Sequence, residues 1–179
     1  MAQKDFRKDR GRAAVITAIL CAACLSLAGC GANGYSSASL YPDNVQSVYV
    51  EMFDNMSFWR GVEYQLSDAL AKRVLADTPY RIISSRDRAD TVLSGQLVSV
   101  SQSVLTTERQ IGRALEKEVR LQAVVNWKNL QTGDLLIDNE NVTASATYSE
   151  WQGQGFEYAS AGAANNLAEK IVELMETQW

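Results

Sequence analysis

Four consecutive residues, Leu27-Ala28-Gly29-Cys30, carry the clearest chemistry in the chain. Small residues at 28 and 29 let the backbone enter a narrow peptidase cleft. The Cys30 thiol can take a thioether-linked diacylglycerol, and cleavage before it frees an amine open to acylation. The flanks agree. Lys4, Arg7, Lys8, Arg10 and Arg12 form a basic head, and Ala13 to Leu27 is an uncharged run of signal-peptide length. That run falls short of the roughly 20 apolar residues a spanning helix needs, so a signal-anchor helix with an incidental cysteine fits less well than a lipobox. One acyl chain binds a bilayer at only about 10⁴ M⁻¹, whereas two or three, at about 0.8 kcal/mol per buried CH₂, hold a protein there. The expectation is a signal peptide at 1–29 and a lipid-anchored bacterial lipoprotein from Cys30. Gly31 is unlike the aspartate that retains many enterobacterial lipoproteins in the inner membrane, which points to the outer membrane of a Gram-negative cell, periplasmic side.

The remaining chemistry is sparse. The chain has no histidine, which removes the commonest general base and a common transition-metal ligand. Cys21 and Cys24 leave with the leader and Cys30 is lipidated, so the sequence offers neither a disulfide, nor a thiol nucleophile, nor a Cys/His metal site. The carboxylate pairs Asp87/Asp90 and Glu116/Glu118 could serve glycosidase-type chemistry, yet they lie in strongly charged stretches that read as solvated. No phosphate-binding glycine loop is present, since Gly153 and Gly155 lack the accompanying lysine. Losing the leader's five basic and two acidic residues takes the net charge from −4 to −7, which disfavours nucleic acid. The reading is a protein that is not an enzyme, with no catalytic residues, cofactor or metal.

The 150 residues after the leader suit one domain. Residues 30–44, rich in Gly, Ser, Asn and Ala, read as a tether, and 45–179 as the domain. Val45 to Phe53 reads as a strand with apolar bulk on both faces, and Asp54 to Ser57 as a turn with an N-cap. From Trp59 to Asp77, Val62, Leu66, Ala69, Leu70 and Val74 predict an amphipathic helix stopped by Pro79, with Lys72 off the stripe. Tyr80 to Ile83 is a short extended piece. Thr91 to Val104 reads as a strand whose alternation breaks at Gly95–Val98, the sign of a bulge. Loop 106–113 then leads to the clearest strand, with Val119, Leu121, Ala123, Val125 and Trp127 on one face and Arg120, Gln122, Asn126 and Lys128 on the other. The turn 131–134 returns it through Leu135 to Tyr148. Tyr158 to Glu176, with Ala164, Leu167, Ile171, Leu174 and Met175 at helical spacing, is the second helix, and Lys170 falls on its outer face. The fold class is α+β: a two-layer sandwich with two helices on one face of a mainly antiparallel four-stranded sheet.

Three motifs resemble the LptE family of lipopolysaccharide-assembly lipoproteins. They are Cys30-Gly31 followed by Gly34-Tyr35, the strand Val48-Tyr49-Val50-Glu51-Met52-Phe53-Asp54-Asn55 before a helix with Leu66 and Leu70, and Ala89-Asp90-Thr91-Val92-Leu93-Ser94-Gly95-Gln96-Leu97. The likeness runs from Cys30 to about Met175, although here the Gly-Tyr pair sits further from the cysteine than in the family's usual pattern. The resemblance implies a non-catalytic protein seated inside an outer-membrane β-barrel lipopolysaccharide-assembly protein (LptD-like), helping that barrel assemble and lipopolysaccharide reach the outer leaflet. An anionic glycolipid calls for cations, and Arg109, Arg113, Lys117 and Arg120 are the candidates, arginine being suited to phosphate by its planar fork. Glu108, Glu116 and Glu118 are interleaved with them, so a solvated hairpin end is the competing reading. The Thr- and Asn-rich face of 135–148 is a second candidate contact surface, against an ordinary solvated sheet face. A rival function is a lipoprotein adaptor that activates an envelope enzyme or secretion pore, of the peptidoglycan-synthase-activator or curli-secretion type. Such chains also begin with a Val-rich strand closing on Phe-x-Asn.

Cys30→Ala should leave the protein unprocessed, or soluble if another peptidase acts. Mass spectrometry of the mature N-terminus checks it, and an unmodified Cys30 in native material would sink the lipoprotein reading.

Overall fold

A computed structural model of the chain describes residues 40–42, 44–110 and 112–176. The lipobox Leu27–Cys30, the leader and most of the 30–44 segment lie outside the described residues. Six strands, β1 Ser47–Val50, β2 Asp54–Asn55, β3 Arg81–Ile82, β4 Thr91–Thr107, β5 Ala114–Asn129 and β6 Leu135–Tyr148, accompany two helices, α1 Val62–Asp77 and α2 Phe156–Leu174. The sheet order is β3-β1-β4-β5-β6, with β2 also beside β4. The α+β class and the two helices on the sheet hold, but the sheet has six strands rather than four, because the two-residue β2 and β3 join it. It is mixed: β1 runs parallel to β3 and β4, and β2 parallel to β4. The long β4-β5-β6 meander keeps most of the pairing antiparallel.

The alternation of β5 sets the layers. Val119, Leu121, Ala123, Val125 and Trp127 are all buried, and both helices lie over that face. The stripe Val62, Leu66, Ala69, Leu70 and Val74 of α1 is buried as its spacing requires. Its start is not at Trp59 but after Gly61, whose φ of 95° is a left-handed conformation that favours glycine. The Asp54–Ser57 turn is likewise corrected: Asp54 and Asn55 form β2, and the carboxylate of Glu63 serves the helix start, accepting from Gly61 N–H (2.9 Å) and Asn55 Nδ2 (2.6 Å). Burial works against the ionised form of Glu63, but these donors and its own backbone outweigh it and hold its pKa low. Trp59 instead stacks on Phe156 with ring centroids 3.9 Å apart.

On α2 the small residues Ala159, Ser160, Ala163, Ala164 and Ala168 are buried beside Leu167 and Ile171, allowing close approach to β6. A Cβ on Gly162 would stand 3.1 Å from that of Ala146. Leu174 departs from the predicted stripe and is exposed, while Met175 is buried. Lys170 is exposed as expected of the outer face, yet it is not free of the sheet. Its Nζ donates to Thr143 O at 2.7 Å, and Asn166 Nδ2 donates to Ser145 O at 2.9 Å, so α2 covers outward carbonyls of β6.

The expected bulge lies at Val98, where the β4-β5 register shifts between Leu97 and Ser99. Gly95 has a separate cause: a Cβ there would lie 2.5 Å from the Phe53 ring and 2.4 Å from Val124 O, so buried Phe53 fills the space that glycine leaves. Tyr41 is buried as well; it donates to Asp77 O at 3.0 Å and meets Tyr80 edge-on. Asp90 fastens β1, β4 and the β5-β6 turn together. Ser47 Oγ (2.8 Å) and Gln46 N–H (3.2 Å) donate to Oδ2, Gln131 Nε2 (2.7 Å) donates to Oδ1, and Leu130 N–H (2.8 Å) donates to the Asp90 carbonyl. The Ser47 hydroxyl leads these donors in holding the carboxyl below the ordinary carboxylate range.

Leu70→Asp should unfold the domain, since an unpaired carboxylate in the seam costs several kcal/mol. Lys72 reaches only the exposed Asp68, so Lys72→Asp should change stability by about 0.5 kcal/mol or less. Equal melting temperatures would show the helix phase to be wrong. Asp90→Ala should lower stability by about 1–3 kcal/mol at neutral pH. A depressed native pKa contributes stability that is fully present above the unfolded value of about 3.9 and lost as pH falls through the native value. The gap between wild type and Asp90→Ala should therefore narrow on acidification below about pH 4, which melts recorded across that range would reveal.

Candidate partner-facing surface

The β4-β5 hairpin closes through residues 108–113, where Glu108 N–H donates to Arg113 O (2.7 Å) and Gly112 N–H to Glu108 O (2.8 Å). Gly112 has φ of 68°, the turn conformation glycine adopts without strain. The four predicted cations do not form one patch. Arg113 lies with its guanidinium carbon 3.7 Å from the centre of the Trp151 ring, and its Nη2 stands 3.5 Å from Glu108 Oε2. Lys117 shares the helix-side face of β5 with Val119 and pairs with Glu150, a neighbour of Trp151; that hydrogen bond raises the Lys117 pKa. Arg113 and Lys117 are thus gathered by one short element, the 3-10 turn Glu150–Gln152. Arg109 is exposed at the tip, with no acidic partner within ion-pair distance among the described residues. Arg120 points to the opposite face of β5 and pairs with Glu118 at 3.0 Å.

The sequence reading missed Trp151. It follows the last strand in Ser-Glu-Trp-Gln-Gly and is 62% exposed, and a tryptophan among turn residues was the available signal. Beside it the end of the hairpin exposes Val104 and Leu105, at 52% and 50%. The tip therefore combines an apolar surface, an indole and two arginines.

The face of the meander away from the helices is polar, and its charges on β5, Glu116, Glu118, Arg120 and Lys128, balance in number. Ser99, Ser101 and Ser103 on β4 stand in register with Gln122, Arg120 and Glu118 on β5, which oppose Thr143, Ser145 and Thr147 on β6. Ser99 Oγ donates to Gln122 Oε1 and Gln122 Nε2 to Asn141 Oδ1. Glu118 is held below the ordinary carboxylate range, first by the Ser145 hydroxyl and then by Arg120 and Ser103. A glycosidase acid needs the opposite shift, and Asp90 of the other carboxylate pair is likewise lowered and committed to the fold. At the far end of this face a cleft of about 330 Å³ is lined by Glu51, Asp54, Ser94, Gln96, Asn126 and Asn139. Asn139 stands at φ 49° with its N–H donated to Asn126 Oδ1 at 2.8 Å.

The model of the LptE family, described as lipopolysaccharide-assembly, matches residues 45–179. No curated protein matches the chain. Among solved structures, a Xanthomonas campestris protein of the DUF330 family superposes with a TM-score of 0.53 at 11% identity, covering 74% of this chain and 85% of that one. The uncharacterized lipoprotein B of Nitrosomonas europaea gives 0.50 at 10% identity, covering 72% and 81%. At such identities the likeness is one of fold.

Proposed function

The chain belongs to the LptE, lipopolysaccharide-assembly, family, and from that premise we propose that it is a non-catalytic lipoprotein. In this reading it is lipid-anchored through Cys30 on the periplasmic side of the outer membrane, plugs a β-barrel lipopolysaccharide translocon, helps that barrel fold, and assists lipopolysaccharide into the outer leaflet. The observation that carries the reading beyond the family is the helix-free face of β4, β5 and β6. A barrel lumen is lined with polar side chains, and a broad surface rich in serine, threonine, glutamine and asparagine, with Glu118 and Arg120 paired to each other, suits such a lining. The hairpin tip supplies the glycolipid contact. Arg113, already ordered on Trp151, and exposed Arg109 face a phosphorylated headgroup, with Val104, Leu105 and the indole beside them for acyl chains. Lys117 adds a further positive charge, already paired, whereas Arg120 on the other face belongs to the barrel contact.

Affinity purification from detergent-solubilised outer membrane tests the proposal. A large β-barrel should co-elute with the wild-type chain. Arg109→Glu with Arg113→Glu should weaken lipopolysaccharide binding or barrel co-elution by about tenfold, as expected for the loss of roughly 1.4 kcal/mol. The Arg113 ion pair with Glu108 and its cation-π stacking on Trp151 are both at the surface, so their removal should cost the fold only about 1 kcal/mol. Lys72→Glu is the reference variant, because Lys170 is tied to β6. Wild-type behaviour of the double variant in both assays would remove the tip from the site. Co-elution of an envelope enzyme or secretion pore in place of a barrel would favour the adaptor reading.

A further inference from the structure

Among the described residues, one long edge of the sheet is left open. β4 pairs along one side with β5, and on the other with β1 at Thr91–Leu93 and β2 at Gln96–Leu97. Among the described residues no strand pairs with that second side of β4 beyond Leu97. Natural edges are blunted by charge, proline, shortness or cover, and the other two edges follow the rule. β3 has two residues, and β6 has carbonyls covered by Asn166 and Lys170. The open stretch of β4 is bounded by the Val98 bulge and by further register shifts between Val104 and Thr107, but between them it is regular, and from Val98 to Thr107 it contains neither a charged residue nor a proline.

Its backbone polarity and its sequence both name the occupant. Met56 N–H donates to Leu97 O, so before the bulge the odd residues of β4 turn their backbone groups toward this side. The extra residue at Val98 reverses the parity. Beyond it Val100, Gln102 and Val104 present N–H and C=O to the open side, while Ser99, Ser101 and Ser103 bond β5. The segment Val100-Ser101-Gln102-Ser103-Val104 reads the same in both directions about Gln102. A two-fold axis through Gln102, normal to the sheet, would set Gln102 against Gln102 of a second copy and Val100 against its Val104. Every one of these positions carries outward-facing backbone groups, as an antiparallel hydrogen-bonded ladder requires. On the helix side, half-exposed Val104 would gain a valine neighbour. On the wet side, Ser101 of one copy would oppose Ser103 of the other, a small polar pair that places no like charges face to face. The Gln102 side chain, bonded to Tyr148, remains free to keep that bond, because the pairing uses backbone.

We propose that the open β4 edge is a self-association site through which two copies of this chain pair antiparallel about Gln102, continuing one sheet across both. A strand pair of this length is a small interface and makes a weak, reversible dimer. The proposal does not rest on the lipopolysaccharide reading, although the two share Val104.

The test uses the full chain extracted from membranes in detergent and carrying Gln102→Cys. Cα atoms of directly opposed residues in such a ladder stand about 5.5 Å apart, within disulfide reach. Oxidation should give a dimer in which peptide mass spectrometry finds 102 linked to 102, whereas Thr147→Cys on β6 should give no such link. Adding Val104→Lys, a charge at an already exposed position, should lower the yield of linked dimer about tenfold with an unchanged melt, as a loss of roughly 1.4 kcal/mol would. If Gln102→Cys does not fold, sedimentation of the unsubstituted chain against its Val104→Lys variant replaces it, with a concentration-dependent dimer expected only in the former. Folded protein that stays monomeric at every concentration, or a link that Val104→Lys leaves intact, overturns the proposal.

Discussion

The pleat of β5 is the constraint on which the rest of the domain depends. Its alternate residues from Val119 to Trp127 are buried under two helices while their neighbours face water, so a slip of one residue would exchange the two sets. β4 runs beside it for most of its length and could not hold that register as a regular strand, because Phe53 crosses it and β2 joins it from the other side. Gly95 makes room for the ring, and the Val98 bulge absorbs the extra residue. Together they keep Leu93 and Leu97 on the same face as Val100, whose neighbour on β5 is Leu121. The helices then pack according to side-chain size. α1 brings Leu66, Leu70 and Val74 to the seam, whereas α2 brings alanines and comes closer to β6.

This architecture explains which parts of the fold are legible in the sequence. Long elements announce themselves by periodicity, and the β5 faces, the α1 stripe, the 131–134 turn and β6 at 135–148 all stand where their patterns put them. A two-residue strand has no period, so β2 and β3 read as a turn and an extended piece. With them goes the parallel pairing of β1, which depends on where α1 returns the chain. Helix ends are set by local contacts that patterns do not carry. Gly61 in a left-handed conformation delays the start of α1, and the stacking of Trp59 on Phe156 links residues far apart in sequence. Lys170 looks solvent-facing by its angle on the helical wheel, yet its long stem reaches past the helix edge to a β6 carbonyl.

The cations are legible as residue types but not as a constellation. Their closeness in sequence suggests one patch, while strand alternation divides them: Lys117 shares a face with Val119, and Arg120 takes the other. What gathers Arg113 and Lys117 is a 3-10 turn more than thirty residues further along the chain, and no local pattern reveals that proximity. Asp90 illustrates the same limit. By charge density it resembles a solvated acid, but four donors from two distant parts of the chain make it a fastening.

The two surfaces also differ in how they could recognise anything. A hydroxyl and amide face exchanges water for a partner's polar groups at small net cost, so its selectivity rests on shape and on the register of its donors and acceptors. Glu118, an acid within that face, is held ionised by hydrogen bonds from Ser145, Arg120 and Ser103, with Arg120 as its counter-charge. At the hairpin tip the two arginines are unequal. Arg113 has been ordered by the Trp151 ring before any ligand arrives, so binding costs it less side-chain entropy than it costs Arg109. Arg109 carries the full entropy of a long exposed side chain but surrenders no ion pair when it engages an anion. The tip therefore sets a pre-positioned guanidinium beside an adaptable one, so an anion meeting both would meet a fixed donor first and a conforming one second.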